Sequence, residues 1–161
     1  MFIHKIDEDL SLKIPELSDA EEIFQLTDTS REYLREWLPW LDGTTTTEDT
    51  KGFLKYALLN YAQQKSLTTI ILFKGKIAGT AGFNRIDWSN GIAYIGYWLG
   101  HEFQGNGIMT RVVEALMDYA FNEMKLNKVE IRAASENQKS RSIPERLGYV
   151  REGRIRKAEK L

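Results

Sequence analysis

The stretch of chain best suited to binding an anion is a glycine-containing loop that leads into a predicted helix. It reads His-Glu-Phe-Gln-Gly-Asn-Gly-Ile-Met-Thr over residues 101–110. Gly105 and Gly107 have no Cβ atom, so the backbone can turn several N–H groups toward one point. A helix N-terminus adds about half a positive charge there, which stabilises an anion without a lysine. The loop is therefore a candidate diphosphate site, although a plain glycine turn entering a helix has the same pattern.

Two common nucleotide-binding motifs fail at this loop. Gly100 and Gly105 have the spacing of a P-loop, but Asn106 stands where that motif requires lysine. Gly105 and Gly107 lack the third glycine of a dinucleotide-binding turn, because Thr110 occupies its position. ATPase and dinucleotide-dependent activities are therefore disfavoured.

The elements that must position this loop predict a mixed α/β sheet. Alternating or β-branched residues predict strands over 10–14, 67–73, 77–86 and 92–99, one around 129–133, and a last one from Tyr149. Helices are predicted after a capping box at residues 18–21, in a short segment around Pro39, over about 47–64, from Ile108, and before Leu147. The strand-helix-strand unit at 92–134 predicts a right-handed parallel crossover, with a ligand site at the end of its first strand.

Size and composition indicate one ordered domain. The chain has 161 residues, of which 42% are hydrophobic and 28% charged, as in ordinary globular domains and unlike disordered or collagen-like chains. We therefore expect a single domain over residues 1–161. The net charge of −1 provides no general attraction for nucleic acid or for an anionic membrane surface.

The reactive groups and targeting signals are restricted as well. The chain has no cysteine, so a disulfide, a cysteine zinc site and an acyl-cysteine intermediate are impossible. Its two histidines, His4 and His101, lack metal-motif spacing, and we expect no metal. The N-terminus is acidic, and the apolar run at 92–100 has about half the length of a membrane span. These features predict a cytoplasmic protein.

The loop also resembles a known cofactor-binding signature. It contains Gln104-x-x-Gly107-x-Met109, which resembles the Gln/Arg-x-x-Gly-x-Gly/Ala motif of the GCN5-related N-acetyltransferases. In that family, backbone amides of the motif hold the pyrophosphate of acetyl-CoA. Met109 departs from Gly or Ala and is similar to the bulkier residues of the RimJ/RimL ribosomal-protein acetyltransferase branch.

A second block agrees with this resemblance. It is similar to the family's Asn-x-x-Ser, Glu-Lys-Leu-Gly-Phe and Glu-Gly elements, and it consists of Asn137-x-x-Ser140, Glu145-Arg146-Leu147-Gly148-Tyr149 and Glu152-Gly153. The aromatic run at 33–40 is similar to the RimL-like branch. The resemblance covers nearly the whole chain. It implies the GNAT fold, a mixed, mostly antiparallel sheet flanked by helices, in which the strand before the loop, 94–99, splays from its neighbour. It also implies a final hairpin after Leu161.

The resemblance implies an acetyl-CoA site on the strand and the loop. The pantetheine arm would pair with strand 94–99, where Gly96 would permit close approach; an ordinary central strand with a glycine bulge is the alternative. Amides near Trp98 and Leu99 would polarise the thioester oxygen. Asn137 would bond a pantetheine amide, and it could also cap a helix. The implied cofactor-binding residues are Tyr97, Trp98, Leu99, Gln104, Gly105, Asn106, Gly107, Ile108, Met109, Thr110 and Asn137.

Acetyl transfer to an amine needs a group that accepts the amine proton and one that protonates the departing thiolate. The resemblance implies Glu159 as the base and Ser140 as the hydroxyl that serves the thiolate. A solvated carboxylate at Glu159 and a helix cap at Ser140 are the structural alternatives. Tyr97 and Tyr149 carry alternative hydroxyls.

The aromatic run provides the candidate acceptor site. Tyr33, Trp37 and Trp40 either roof the core or line a substrate cleft. The leading hypothesis is direct acetylation of the N-terminal α-amino group of a protein, with a ribosomal protein implied by the resemblance. A small amine, such as a polyamine or an antibiotic, and a non-catalytic acyl-CoA-binding module are the alternatives. We expect no direct nucleic-acid or membrane partner, and a homo-oligomer is compatible with the fold.

Overall fold

The computed structural model describes residues 3–35, 38 and 41–131. Six strands form one sheet in the order of the chain, antiparallel throughout except for the parallel pair β5 and β6. The strands are β1 (Ile3–Lys5), β2 (Leu10–Lys13), β3 (Leu67–Phe73), β4 (Lys76–Asp87), β5 (Ile92–Leu99) and β6 (Lys128–Ile131).

Helices pack on this sheet. They are α1 (Ala20–Thr29), α2 (Arg31–Leu34), α3 (Thr47–Ala62) and α4 (Ile108–Asp118). Helices α1 and α3 contact each other; α1 also contacts β4, and α3 also contacts β3. Helix α4 contacts β4 and β5. The hydrophobic core lies between the sheet and these helices, with Leu54, Ile71, Phe83, Ile95 and Val112 fully buried.

The predicted strands and helices that fall within these residues are confirmed, as is the parallel strand-helix-strand unit of β5, α4 and β6. The three-residue strand β1 was not predicted, because its residues are exposed and show no core-facing pattern. Helix α3 begins as expected, with the Thr46 hydroxyl accepting a hydrogen bond from the Asp49 N–H at 3.2 Å. The predicted helix before Leu147 and the strand from Tyr149 lie outside the described residues.

The predicted capping by Ser18 is wrong. A 3-10 turn at Leu17–Asp19 precedes α1, and the Asp19 carboxylate accepts a hydrogen bond from the Glu16 N–H at 2.8 Å. The same carboxylate lies 2.9 Å from the buried Lys13 ammonium. Burial lowers the pKa of Lys13, but its hydrogen bonds to Asp19 and Glu16 raise that pKa above its ordinary value overall. Asp19 therefore serves the helix start and the buried lysine together.

Strand β6 buries a charged residue. Its sequence alternates polar and apolar residues over 128–131, which is typical of a strand with one solvent-facing side, but the Glu130 side chain is only 2% exposed. It lies in register with the buried Tyr94 of β5, and the Lys128 ammonium is 3.4 Å from its Oε2 atom. Its Oε1 atom has no hydrogen-bond partner in the part of the chain that the structure describes. Alternation along the strand gave no sign of this burial, because both faces of β6 are covered.

Two glycines of β4 allow its neighbours to approach closely. A Cβ atom on Gly82 would lie 1.9 Å from the Leu67 carbonyl oxygen, and one on Gly79 would lie 2.1 Å from the Trp98 carbonyl oxygen. Both obstacles are backbone atoms of paired strands, which cannot move without breaking the ladder. These glycines therefore set the spacing of β3, β4 and β5.

We expect Gly82→Ala to lower the free energy of unfolding by about 3 kcal/mol, because the added methyl group clashes with the β3 backbone. The matched control is Gly52→Ala in α3, where nothing lies within 4 Å of an added Cβ atom. That change should raise stability by up to about 1 kcal/mol through better helix propensity. Urea unfolding of both variants measures the difference, and equal stabilities would contradict the close approach.

Candidate functional site

The loop after β5 is fixed to the sheet before it reaches its glycines. The Gly100 N–H donates to the Ala78 carbonyl at 2.8 Å. A 3-10 turn follows at His101–Phe103, and the buried Phe103 ring meets the Phe73 ring of β3 edge-on, with centroids 6.4 Å apart. The loop therefore starts from a rigid position at one end of the sheet.

Both glycines of the loop adopt left-handed backbone conformations. Gly105 has a φ of +84° and Gly107 a φ of +68°, and Gly107 directly precedes the first residue of α4. Nothing lies within 4 Å of a Cβ atom built on either residue. Glycine is therefore required here by the backbone conformation and not by lack of space.

The loop presents unused hydrogen-bond donors. Among the residues that the structure describes, none accepts a hydrogen bond from the backbone N–H groups of residues 105–109. Residues 105–107 are exposed, and the first turn of α4 carries no acidic side chain that would compete for these donors. Together with the helix dipole, these groups can bind a diphosphate.

The side chains of residues 104, 106, 108 and 109 bond backbone carbonyls or pack in the core. The Asn106 amide donates to the Phe103 carbonyl at 3.1 Å, and the Gln104 amide donates to the Leu99 carbonyl at 3.4 Å. Ile108 and Met109 are buried in the core. A bulky residue at position 109 is thus accommodated by packing, and it leaves the backbone donors accessible.

Strand β5 places its three predicted cofactor residues directly before this loop. Trp98 and Leu99 bury their side chains, and Tyr97 is half-buried. Pairing of β5 with β6 is described as far as Ile95 and Ile131. The predicted splay of these strands concerns residues beyond that point and stays a prediction.

Gly96 has a neighbour that sequence reasoning missed. A Cβ atom at this position would lie 2.1 Å from the side-chain nitrogen of Asn84. The register of β4 against β5 shifts between Phe83 and Arg85, so Asn84 is the extra residue of a β-bulge. Gly96 therefore leaves room for the Asn84 side chain at this bulge. This observation favours the glycine bulge, the alternative to close approach of the pantetheine arm at Gly96.

The predicted acceptor residues are only partly described. The Tyr33 ring lies on the His101 ring, with centroids 4.7 Å apart and planes tilted by 56°. The Ser30 hydroxyl accepts a hydrogen bond from the His101 N–H at 2.9 Å. The segment around α2 is thus joined to the start of the loop. The neighbouring leucines roof the core, since Leu34 and Leu41 are buried and Leu38 packs against them in part.

Several predicted site residues lie outside the described part of the chain. They are the acceptor residues Trp37 and Trp40, the cofactor residue Asn137, and the catalytic candidates Ser140 and Glu159, with the alternative hydroxyl of Tyr149.

Metal-ligand clusters and membrane-spanning helices are absent from the described residues. Within residues 3–35, 38 and 41–131, no cluster of His, Asp or Glu side chains could hold a metal ion. None of the helices in those ranges is long and apolar enough to cross a membrane.

Comparisons with known proteins identify the family. Residues 9–150 match the model of the acetyltransferase (GNAT) domain. The chain belongs to the GNAT acetyltransferase family. It is 33% identical over 157 residues to the putative ribosomal N-acetyltransferase YdaF of Bacillus subtilis. The match covers 97% of this chain and 86% of YdaF.

Two solved structures are close to this GNAT acetyltransferase. The ribosomal L7/L12 alpha-N-protein acetyltransferase RimL in complex with coenzyme A has a TM-score of 0.88 against it, with 28% identity, and the match covers 91% of this chain and 83% of RimL. The microcin C7 self-immunity acetyltransferase MccE in complex with acetyl-CoA and AMP has a TM-score of 0.84, with 31% identity over 89% of this chain and 80% of MccE.

These findings confirm the predicted GNAT fold, the RimL/RimJ-like branch and the N-acetyltransferase activity. They also confirm acetyl-CoA as the acetyl donor. The backbone donors at residues 105–109 fit the diphosphate of that donor, because they form a ready anion site at the start of a helix.

We expect Gly107→Ala to raise KM for acetyl-CoA by about fivefold to tenfold. Alanine disfavours the left-handed conformation, so fewer molecules hold the loop ready for the diphosphate. Gly75→Ala is the matched control, since Gly75 has a φ of +83° and open space around it, but lies in the β3–β4 turn. Both variants should lose about 1 kcal/mol of stability, and steady-state kinetics should show a changed KM for the first alone.

Proposed function

We propose that this enzyme acetylates the N-terminal α-amino group of a ribosomal protein by direct transfer from acetyl-CoA bound at residues 104–110. The observation that carries the proposal is the set of unused backbone donors at the start of α4, in a chain similar to RimL and YdaF along most of its length. A ribosomal acceptor would require the enzyme to act in the cytoplasm.

The donor site divides into two parts in this proposal. The backbone N–H groups of residues 105–109 hold the diphosphate, and the backbone of Tyr97, Trp98 and Leu99 pairs with the pantetheine arm. N–H groups near Trp98 and Leu99 then stabilise the charge that develops on the thioester oxygen. The Asn137 amide is proposed to bond a pantetheine amide.

The proton chemistry is assigned to two residues. The amine must lose a proton as the C–N bond forms and the C–S bond breaks, and the thiolate must gain one. Glu159 is proposed to accept the amine proton, and Ser140 to protonate the thiolate. An α-amino group has a pKa of about 8 and a lysine side chain one of about 10.4. A carboxylate base can therefore deprotonate an N-terminal acceptor more easily than a lysine acceptor.

The acceptor is proposed to bind beside Tyr33, together with Trp37 and Trp40. Tyr33 supports this place because its ring contacts His101, the first residue of the turn that leads to the cofactor loop. An acceptor that packs on Tyr33 would therefore lie close to the donor site.

A small-molecule acceptor is the second candidate. The similarity to MccE, which is as extensive as that to RimL, favours it. A small amine would bind in a concave pocket that buries most of its surface.

An acceptor screen separates these candidates. The full chain is incubated with acetyl-CoA and either peptides that differ in their N-terminal residue or a set of polyamines and amine-containing antibiotics. Free thiol and product mass are recorded together. Acetylated peptide N-termini support the proposal, whereas acetylation of small amines alone supports the second candidate. Coenzyme A binding without thiol release from any mixture would indicate a non-catalytic binding module and overturn both.

We expect Glu159→Gln to lower kcat by about a hundredfold while it leaves the affinity for coenzyme A unchanged, because it removes the base and keeps the shape. The deficit should shrink as the pH rises and the free amine becomes abundant. The exposed Glu123→Gln is the control and should have no effect. An unchanged pH-rate profile for Glu159→Gln would exclude Glu159 as the base.

A further inference from the structure

Arg111 of α4 turns back onto the cofactor loop. Its Nη2 group donates to the Asn106 carbonyl at 3.0 Å, and its Nε group donates to the Gly107 carbonyl at 3.3 Å. Its Nη1 group donates to the Asp7 carboxylate at 2.6 Å. The Arg111 side chain is 37% exposed.

These two carbonyl contacts determine where the neighbouring N–H groups point. A trans peptide is planar, with its C=O and N–H on opposite sides. When Arg111 holds the Asn106 carbonyl, it directs the Gly107 N–H away from the guanidinium. The contact to the Gly107 carbonyl does the same for the Ile108 N–H. Both of these N–H groups belong to the unused donors described above.

The two peptides that Arg111 holds are the ones most able to turn over. Both adjoin Gly107, which has no Cβ atom to oppose rotation of the flanking peptide planes. A rotated peptide would present a carbonyl oxygen to the bound anion in place of an N–H group. Arg111 opposes this rotation on the side away from the ligand.

Asp7 fixes Arg111 from another part of the fold. Its Oδ1 atom accepts hydrogen bonds from the Asp9 and Leu10 N–H groups, each at 2.9 Å, so it closes the turn between β1 and β2. Its Oδ2 atom accepts the bond from Arg111. This bond is the main reason that the pKa of Asp7 lies below its ordinary value. The carboxylate is therefore ionised throughout the neutral range, and its contribution is lost only as the pH falls through that lowered pKa.

We infer that Arg111 and Asp7 form a clamp that positions the backbone donors of the loop for the diphosphate of acetyl-CoA. They are positioning residues, since neither is required to touch the cofactor. This inference rests on the proposed binding of the diphosphate at residues 105–109.

A simpler role for Arg111 would be long-range attraction of the anionic cofactor. The two roles predict opposite effects for Asp7→Asn. Loss of a negative charge near the site would strengthen cofactor binding if attraction mattered. If the clamp matters, binding should weaken. The asparagine oxygen can take the place of Oδ1 and still close the turn, but its NH2 group then lies at the Oδ2 position and cannot accept the bond from Arg111.

The test is calorimetric titration of the full chain with coenzyme A. We expect Arg111→Gln to weaken binding by about tenfold and Asp7→Asn by about threefold, the order expected for charge-assisted hydrogen bonds. Arg111→Lys should resemble Arg111→Gln, because an ammonium keeps the charge but cannot hold two carbonyls and a carboxylate in one plane.

Arg31 provides a matched control variant. It also holds two carbonyls, of Leu41 at 2.8 Å and Thr44 at 2.7 Å, and it bonds the Asp28 carboxylate. Arg31→Gln removes an equivalent set of contacts and should leave the affinity for coenzyme A unchanged. Thermal unfolding of the ligand-free variants shows whether the two arginines contribute similarly to stability.

A truncated donor gives a readout that a general structural defect would not produce. Acetyl-pantetheine lacks the diphosphate, so Arg111→Gln should lower kcat/KM for acetyl-CoA and leave kcat/KM for acetyl-pantetheine unchanged. Equal losses with both donors, or tighter binding of coenzyme A by Asp7→Asn, would overturn the clamp. If Gly107→Ala weakens coenzyme A binding and Arg111→Gln does not, the diphosphate site stands and the clamp fails. If the wild-type chain shows no dependence on the diphosphate, both fail.

Discussion

The proposed acetyl-CoA site depends on a run of backbone N–H groups that have no hydrogen-bond partner among the described residues. No lysine or arginine side chain of the loop supplies the charge that an anion needs. The donors must therefore be held in place by backbone conformation, which is the reason for the left-handed Gly105 and Gly107. Because glycine permits this conformation without enforcing it, contacts from outside the loop become important.

Those contacts come from several directions. The start of the loop is held by β4 through Gly100, by β3 through the Phe73 and Phe103 rings, and by α1 and α2 through Ser30 and Tyr33. Its end is held by Arg111. A loop with mobile donors would lose binding energy in ordering them, so a fixed loop binds its ligand more tightly.

Membership of the family determines the acetyl donor but does not determine the acceptor. RimL acts on a ribosomal protein and MccE confers microcin C7 self-immunity, yet both are extensively similar to this chain. Fold and donor chemistry therefore do not select the acceptor. In this enzyme the contact of Tyr33 with His101 links the proposed acceptor side to the loop at residues 101–110.

The sequence by itself determined the order of the strands from β2 to β6, the helices α1, α3 and α4 between them, the glycine turn before α4 and the family. These depend on local patterns such as alternation, helical spacing and the positions of Gly105 and Gly107. Only the tertiary structure decided the bulge at Asn84 beside Gly96, the burial of Glu130 and the bond between Asp7 and Arg111, which joins residues 104 positions apart. Each of these depends on which distant residues the sheet brings together, and local patterns carry no record of such pairings.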